Sequence, residues 1–448
     1  MNGKYCKMND FIELMREVMS DSEIERFVAS IENEAAVKSI RLNERKNHES
    51  HDTLEPVKWC PFGRYVAMPD GFRFVDDVAF HAGAYYVQEA SSMFLWQVLQ
   101  QKVEKRAVVF DACAAPGGKS TLIDQYIDDE GFLVSNEFVA KRSNVLVENL
   151  MKWGRDNWLV TNEGLGKFEQ LGEMFDAVVV DAPCSGEGMF RKDEEAVGDW
   201  SVENVMMCQT RQREIVRSAW ATLKENGIMV YSTCTYNALE DEENVEWIVR
   251  ELGGEVEDVA LDESWGLVRA RSGGYHFFPH RVKGEGLFMA VIRKRDGSGI
   301  ERKQKRGDAV KWEKMRAEWL QNADDYSVLA MHDTFWAIRN SYKPIAAKII
   351  SAGLNVRACG VEYGMTKGKE MIPAPGLALS MVLDRSRFQI LELSHEDAMK
   401  YLRCEVIPTG DTERGVVLVM SGGYALGWAK NVGNRCNNMY PVYWRIRN

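Results

Sequence analysis

Between residues 107 and 232 the chain alternates short apolar runs with stretches of helical periodicity. The helical stretches are centred on residues 119–128, 139–153, 202–223 and 240–252. The apolar runs have the length of β-strands and cover residues 107–111, 131–135, 158–161, 175–181 and 227–232. Apolar strands that alternate with helices are typical of a parallel sheet covered by helices on both faces. The pattern therefore predicts an α/β domain with a doubly wound, Rossmann-like sheet.

The segments on either side of this region follow other patterns. Apolar residues recur at helical spacing over residues 10–37, and a strand-like segment follows from Val37 to Leu42, which predicts a small N-terminal α+β lobe. Residues 294–309 have almost no apolar content, which is typical of a linker or a flexible basic loop. Beyond this linker, strand-forming residues are concentrated at 415–420 and 424–429, which predicts a small β-rich module at the C-terminal end.

The composition is that of a globular chain with room for several domains. Its 448 residues are 45% hydrophobic and 27% charged. Apolar runs such as residues 375–382 are too short to cross a membrane, and the N-terminus lacks an apolar signal core, so we expect neither membrane insertion nor secretion. The nine cysteines include no Cys-x-x-Cys pair, which argues against a disulfide framework or a zinc ribbon and favours the cytoplasm. Six of them are expected to be small buried apolar residues: Cys6, Cys60, Cys208, Cys359, Cys404 and Cys436.

The formal net charge of −11 would ordinarily disfavour a nucleic-acid partner, but the charge is unevenly distributed. Residues 1–300 carry 34 basic and 51 acidic side chains, whereas residues 301–448 carry 22 basic and 16 acidic ones. A basic C-terminal part could contact RNA locally, although ordinary solvated faces explain the same charges equally well. Charge alone therefore decides nothing.

A glycine turn follows the first predicted strand, at the edge where an open parallel sheet binds its ligand. Gly117 and Gly118 permit backbone angles and a close ligand approach that larger residues would block, just before a helix begins. The second strand ends at Glu137, 26 residues after Asp111, which is a spacing suited to hydrogen bonds with ribose hydroxyls. The two features together predict a site for a cofactor that contains a ribose.

The sequence from Gly118 to Ser120 also resembles the end of a phosphate-binding loop of NTPases, and residues 178–181 resemble their acidic strand. That loop requires a glycine five residues before Gly118, where this chain has Cys113. The rigid ring of Pro116 also stands inside the turn. We therefore favour the cofactor site over an NTPase.

Two cysteines and a carboxylate follow the fourth and fifth predicted strands, at the same sheet edge. Asp181 and Cys184 follow one strand, and Cys234 follows the other. Carbon 5 of cytosine is too weak a nucleophile to accept a methyl group directly, so an enzyme first adds a thiolate to carbon 6. A neighbouring carboxyl group can hold or protonate the ring nitrogen during that addition. The alternative is two inert buried thiols, but polar, glycine-flanked strand ends are not typical of a core.

In combination, these segments resemble the Sun-type (NSUN-like) RNA 5-methylcytosine methyltransferase family, and most closely its bacterial RsmF branch, which acts on small-subunit ribosomal RNA. The resemblance extends over most of the chain. It is carried by residues 83–93, 111–120, 135–137, 181–193, 232–236 and 278–281.

The resemblance implies a role for each candidate residue. Cys234 corresponds to the nucleophile, Cys184 to the cysteine that helps to release the product, and Asp181 to the carboxylate that contacts the cytosine beside the cofactor. Glu137 is expected on the ribose of S-adenosyl-L-methionine. Glu163 is expected near the adenine, in a stretch one residue shorter than the family pattern, and Asn162 is the alternative there. The loop expected around the cofactor consists of Cys113, Ala114, Ala115, Pro116, Gly117, Gly118 and Lys119.

The resemblance also implies a domain order. We expect an RNA-recognition lobe at 1–85, a methyltransferase domain at 86–295, an intermediate domain at 310–390 and a PUA-like RNA-binding module at 391–448. The expected partner is RNA, with no DNA or membrane, and the expected state is a monomer. A catalytically idle RNA-binding or assembly factor on the same fold is the alternative function, and methylation of protein or a small molecule is a third.

His276 and His280 are four residues apart and could suggest a metal site. Pro279 interrupts the helix that such a pair would need, and the sequence shows no third ligand. We therefore expect structural roles for both histidines and no metal.

Overall fold

The N-terminal lobe begins with two helices that precede a small sheet. The computed structural model describes residues 2–51, 53–67, 71–297, 310–368 and 370–447. Three short strands of the lobe pair antiparallel in the order β2-β1-β3. The elements of the lobe are α1 (Asn2–Met15), α2 (Asp21–Asn33), β1 (Ser39–Leu42), β2 (Gly63–Tyr65), α3 (Val78–Ala82) and β3 (Tyr85–Val87).

The central domain alternates strands with helices, as the apolar pattern predicts. Its elements are α4 (Leu95–Lys102), β4 (Val108–Asp111), α5 (Gly118–Tyr126), β5 (Phe132–Asn136), α6 (Ala140–Trp153), β6 (Trp158–Thr161), β7 (Phe175–Asp181), α7 (Glu194–Asp199), α8 (Val202–Trp220), β8 (Leu223–Thr233), α9 (Glu242–Leu252), β9 (Gly254–Val256), β10 (Val268–Arg269), β11 (Tyr275–Phe277) and β12 (Leu287–Lys294).

Five parallel strands form the centre of its sheet, in the order β6-β5-β4-β7-β8. Strand β12 extends the sheet antiparallel beyond β8, followed by β11 and β10. The predicted doubly wound Rossmann-like fold is thus confirmed. The strand order reverses between β4 and β7, and an open sheet of this kind binds its ligand beyond the carboxyl ends of the strands at that point.

The C-terminal part contains two further sheets. They have the orders β13-β14-β15-β17-β18 and β19-β20-β21-β22. The elements are β13 (Trp312–Glu313), β14 (Tyr326–Met331), β15 (Thr334–Arg339), α10 (Lys343–Ser351), β16 (Val356–Cys359), β17 (Val361–Lys367), β18 (Glu370–Pro373), α11 (Pro375–Leu379), β19 (Gln389–Glu392), α12 (His395–Leu402), β20 (Gly415–Ser421), β21 (Tyr424–Asn431) and β22 (Cys436–Asn438).

The structure adds features that the apolar pattern does not predict. Strand β8 begins at Leu223, four residues before the predicted run, and its first residues include the polar segment 224–226. Strand β16 leaves the C-terminal part and pairs antiparallel with β6, at the edge of the central sheet. The predicted domain boundaries at 85 and 390 lie within β3 and β19. Of the predicted linker, residues 298–309 lie outside the described residues.

Hydrogen bonds of buried side chains join the three parts of the chain. Arg41 on β1 is fully buried and donates to Gln88 and Thr121, the latter on α5. The buried carboxylate of Asp156, which precedes β6, accepts hydrogen bonds from Tyr326 and Arg339 of the C-terminal part. Within the described residues, no helix is both long and apolar enough to cross a bilayer.

The two histidines considered for a metal site face different neighbours. The Nε2 atom of His276 lies 2.9 Å from the Glu242 carboxylate, and its Nδ1 atom lies 4.0 Å from Asp241. The ring of His280 packs 5.8 Å from that of Phe27 in the N-terminal lobe. His276 thus has acidic neighbours from α9 and the residue before it, which the spacing of the two histidines does not reveal.

Candidate active site

A cleft of about 420 Å³ opens beyond the carboxyl ends of β4, β7 and β8. It lies at the point where the strand order reverses, which is where the fold places a ligand. Eight of the predicted site residues line it: Cys113, Ala114, Ala115, Pro116, Gly118, Lys119, Asp181 and Cys234. The lining also includes Gln88, Glu89 and Ser92, which lie between β3 and α4, and Glu285 of the β11–β12 loop.

The turn between β4 and α5 forms one wall of this cleft. Gly117 has a φ of 117°, in the left-handed region that favours glycine, and α5 begins at the next residue. Helix α6 fixes the turn from outside, since Asn149 Nδ2 donates to the Pro116 carbonyl at 2.7 Å and Arg142 donates to the Ala115 carbonyl at 2.8 Å. Side chains of α6 therefore hold the turn in place.

Asp111 anchors this turn from below. Its carboxylate is fully buried and accepts a 2.6 Å hydrogen bond from Ser120 on α5. Burial raises the pKa of the Asp111 carboxyl to about 7. Burial also raises the pKa of the Cys113 thiol well above its ordinary value, so this cysteine remains a neutral thiol. A neutral thiol is a poor nucleophile, so the Cys113 thiol is not a candidate nucleophile.

Glu137 follows β5 beside the turn, outside the cleft lining. Its carboxylate accepts a 2.8 Å hydrogen bond from the backbone N–H of Val139 and lies 3.7 Å from Arg142. Asn136 hydrogen-bonds both the N–H and the carbonyl of Glu163, which joins the ends of β5 and β6. Glu137 and Glu163, the two acids predicted to contact the cofactor, therefore follow strand ends that are fixed to each other.

Glu163 has local partners of its own. Its carboxylate accepts from the Gly164 N–H at 3.0 Å and pairs with Lys167 at 2.9 Å. Asn162 donates to the carbonyls of Glu137 and Phe138, at 2.6 and 2.8 Å. The Asn162 side chain therefore binds the backbone that follows β5. Of the two residues considered near the adenine, only Glu163 has a carboxylate.

Asp181 ends β7 at the floor of the cleft. Its Oδ1 atom accepts a 2.8 Å hydrogen bond from Ser232 and lies 2.7 Å from the Nζ atom of Lys119. The Lys119 side chain is 9% exposed and the Asp181 side chain is 37% exposed. The partial exposure of Asp181 leaves its carboxylate accessible from the cleft.

The two cysteines of the neighbouring loops touch each other. The Sγ atoms of Cys184 and Cys234 are 3.0 Å apart. Contact with Cys234, together with burial, raises the pKa of the Cys184 thiol well above its ordinary value. Cys184 therefore retains its proton, while Cys234 is the cysteine whose side chain lines the cleft. The backbone of the two loops is joined beside them, since Gly188 donates to the Cys234 carbonyl at 2.7 Å.

Two buried acids that the sequence analysis missed hold these loops. Glu187 lies in the loop of Cys184, and its carboxylate accepts hydrogen bonds from the backbone N–H groups of Tyr236 and Asn237. Glu240 follows Cys234 and accepts hydrogen bonds from the loop of Cys184. Glu187 lies inside the family segment 181–193, but its type alone does not distinguish a buried acid from a solvated one.

Glu285 connects the N-terminal lobe to the rim of the cleft. Its carboxylate accepts from the Val37 N–H at 2.5 Å and from Arg191 Nε at 2.8 Å. Its own N–H donates to Glu89 at 2.9 Å. The lobe therefore forms part of the wall of the cleft.

Models of three protein families match the chain. The model described as the N-terminal domain of 16S rRNA methyltransferase RsmF matches residues 8–90, the model of 16S rRNA methyltransferase RsmB/F matches 97–293, and that of the methyltransferase RsmF PUA domain matches 388–446. The three matches follow one another along the chain and cover most of it.

Relatives of similar length carry the same name. The chain is 31% identical over 461 residues to ribosomal RNA small subunit methyltransferase F of Vibrio atlanticus, with 96% of each chain covered. It is 30% identical over 480 residues to the protein of that name in Cronobacter sakazakii, with 98% of this chain and 96% of the relative covered.

Two solved structures from Pyrococcus horikoshii share the fold of about two thirds of this chain. NSun6, solved with SFG, aligns with a TM-score of 0.54 at 19% identity and covers 64% of this chain and 98% of its own. A methyltransferase homolog protein aligns with a TM-score of 0.52 at 22% identity and covers 64% and 99%.

Proposed function

This chain belongs to the RsmF family of 16S rRNA methyltransferases, and from that premise we propose that it methylates carbon 5 of a cytosine in small-subunit ribosomal RNA through a covalent cysteine adduct. The methyl donor in this proposal is S-adenosyl-L-methionine. The observation that carries the proposal is the Sγ–Sγ distance of 3.0 Å between Cys184 and Cys234 at the cleft that Asp181 lines.

The turn between β4 and α5 fits the cofactor. Gly117 takes a positive φ within the turn, and Cys113 to Pro116, Gly118 and Lys119 border the cleft. We assign the ribose to Glu137 and the neighbourhood of the adenine to Glu163. When bound, S-adenosyl-L-methionine supplies an electrophilic methyl group.

Cys234 is assigned the attack on the base. Its thiol loses a proton to solvent and the sulfur adds to carbon 6 of the cytosine. The pair of the carbon 5–carbon 6 double bond forms a carbon 4–carbon 5 double bond, and the carbon 4–N3 pair moves onto N3, which takes up a proton from solvent, so the proton lost from sulfur is matched by the one gained at N3. Asp181 steadies the protonated N3 with its carboxylate, which Lys119 and Ser232 hold in place. Addition makes carbon 5 nucleophilic enough to accept a methyl group.

Cys184 is assigned a role in product release. After methylation, solvent takes the proton of carbon 5, the pair of that bond re-forms the carbon 5–carbon 6 double bond, and the bond between carbon 6 and Cys234 breaks with its pair on sulfur. N3 returns the proton that it gained on addition. The Cys184 thiol, whose pKa is raised, lies 3.0 Å from the sulfur that leaves. It can therefore donate a hydrogen bond to that sulfur as negative charge builds on it, without competing with Cys234 as the nucleophile.

The flanking domains favour RNA as the substrate. The N-terminal and PUA family models both match, and residues 301–448 carry an excess of basic side chains. The cytosine must leave its helix to reach the cleft, so an unpaired or weakly paired target is expected.

Two cysteine substitutions test the proposal, because they should have opposite effects. With small-subunit RNA and S-adenosyl-L-methionine, Cys234→Ala should abolish methylation without an adduct. Cys184→Ala should leave a protein–RNA adduct that shifts the band on a denaturing gel. Cys359→Ala, at a buried cysteine of β16, is the matched control and should methylate the RNA. Equal, adduct-free inactivity of the first two variants would refute the assignment.

A calorimetric titration separates this proposal from a catalytically idle assembly factor. The enzyme should bind S-adenosyl-L-methionine, and bisulfite sequencing of ribosomal RNA from cells with and without the gene should reveal one protected cytosine that depends on it. Absence of cofactor binding would favour the idle factor.

A further inference from the structure

Two buried glutamates connect the cysteine loops reciprocally, each anchored in one loop and hydrogen-bonded to the other. We propose that Glu187 and Glu240 are positioning residues that set the distance between the sulfurs of Cys184 and Cys234. This inference rests on the proposed function for its kinetic consequences, but the geometry can be tested without RNA.

Glu187 belongs to the Cys184 loop and holds the Cys234 loop. Its Oε2 atom accepts from the N–H of Tyr236 at 2.7 Å and from the N–H of Asn237 at 3.2 Å. Its Oε1 atom accepts from Asn237 Nδ2 at 2.8 Å and from Trp200 Nε1 at 3.1 Å. Four donors therefore converge on one carboxylate that has no exposure to solvent.

Glu240 belongs to the Cys234 loop and holds the Cys184 loop. Its Oε2 atom accepts from the N–H of Ser185 at 3.0 Å and from Gln212 Nε2 at 2.7 Å. Its Oε1 atom accepts from the Ser185 hydroxyl and from Asn237 Nδ2 at 3.0 Å. Ser185, the residue after Cys184, is thus fixed to the loop that connects Cys234 to α9.

The donors require carboxylates at both positions. Backbone N–H groups, the NH2 groups of side-chain amides and the indole N–H can only donate, so each acid must accept hydrogen bonds on both oxygens. A glutamine offers one carbonyl oxygen, and its amide would face donors. The Asn237 amide bridges Glu187 and Glu240, which joins the two contacts into one unit.

The reciprocal arrangement predicts different kinetic defects. Glu187→Gln frees the backbone two residues after Cys234, so attack on carbon 6 should slow. Glu240→Gln frees the backbone next to Cys184, so release should slow and the RNA adduct should accumulate. A displacement of about 1 Å can reduce a rate by about 10²-fold, which sets the size of effect expected for each step.

The distance itself can be measured by cross-linking without substrate. Diamide, an azodicarboxamide oxidant, takes up the two thiol hydrogens while Cys184 and Cys234 form a disulfide, which peptide mapping identifies. Glu187→Gln and Glu240→Gln should both cross-link more slowly than the wild type. Glu362→Gln is the matched control, since Glu362 is a buried acid of the C-terminal part with a single backbone contact to Gly376, and it should cross-link at the wild-type rate.

Two milder variants cover the case in which the glutamine variants do not fold. Trp200→Phe removes one donor to Glu187, and Ser185→Ala removes the hydroxyl contact to Glu240, while both carboxylates remain. Each should cross-link more slowly than the wild type while still binding S-adenosyl-L-methionine.

The results separate this inference from the proposed function. Wild-type cross-linking rates in the folded variants would overturn the positioning role, whether or not the enzyme methylates RNA. If cross-linking slows but Cys184→Ala forms no RNA adduct, the positioning role stands and the methylation mechanism fails.

Discussion

Replacement of Arg41 by leucine should detach the N-terminal lobe from the cofactor turn. The Arg41 side chain is fully buried on β1, and burial lowers its pKa to about 10, so it is still charged at neutral pH. It donates at 2.7 Å to Gln88 Oε1 and at 2.6 Å to Thr121 Oγ1, makes a third short contact with Gln125, and stacks 4.4 Å over the ring of Trp153.

The cost can be worked from these contacts. Three hydrogen bonds to a charged group are each worth about 1.5–3 kcal/mol, and part of that sum offsets the desolvation of the guanidinium. Leucine leaves three buried acceptors without their donor. Breaking a buried charged contact typically costs about 3–5 kcal/mol, so we expect Arg41→Leu to lower the free energy of unfolding by about 4 kcal/mol.

Urea denaturation followed by tryptophan fluorescence measures this loss, and calorimetry measures the accompanying effect on the cofactor. Affinity for S-adenosyl-L-methionine should fall, because Thr121 lies in the first turn of α5, directly after the cofactor turn. Arg26→Leu is the control, since the Arg26 side chain is 63% exposed. A loss of about 0.5 kcal/mol or less, the scale of an ordinary surface substitution, would contradict this expectation.

Three further predictions follow from the same structure. Because burial raises the pKa of Asp111 to about 7 from 3.8, the folded state binds its proton more tightly, so this residue's contribution to stability should be lost as the pH rises between those values. Urea denaturation of wild type and Asp111→Asn should show the variant gaining relative stability across that range, and a pH-independent difference would contradict it. Asp156→Asn removes the ion pair with Arg339 and should lower the free energy of unfolding by about 1–3 kcal/mol. Proteolysis between the central and C-terminal parts should then be faster, and an unchanged rate would contradict a role for this ion pair in holding the two parts together. Glu137→Ala should raise the calorimetric Kd for S-adenosyl-L-methionine by roughly 10- to 100-fold, and Glu163→Ala by less, because that carboxylate already has local partners; the reverse order would exclude the ribose assignment.

The central sheet could be predicted because its strands are buried on both faces. The runs at 158–161 and 175–181 coincide with β6 and β7, whose positions are mostly apolar because helices cover both faces of the sheet. The first residues of β8 include a polar segment. Strand β16 lies more than 190 residues after its partner Thr161 in the sequence. Neither feature has a local signal, because strand pairing across domains depends on the assembled surface.

The candidate site could be predicted as far as the sheet edge defines it. The carboxyl ends of parallel strands meet, so the topology alone predicts that Asp181, Cys184 and Cys234 lie together. The roles of Glu187 and Glu240 depend on which donors the folded loops point at them. An acidic residue in a polar loop has the same sequence signal whether it is buried or solvated, so these two could not be found from the pattern.

The most direct test of the account is to locate the bond between enzyme and RNA. Cys184→Ala enzyme is incubated with small-subunit RNA and S-adenosyl-L-methionine, digested with protease and nuclease, and analysed by tandem mass spectrometry. We expect a methylated cytidine attached to the peptide that contains Cys234. A nucleotide attached to Cys113 or to any residue other than Cys234 would contradict it, as would a cofactor-binding enzyme that forms no adduct.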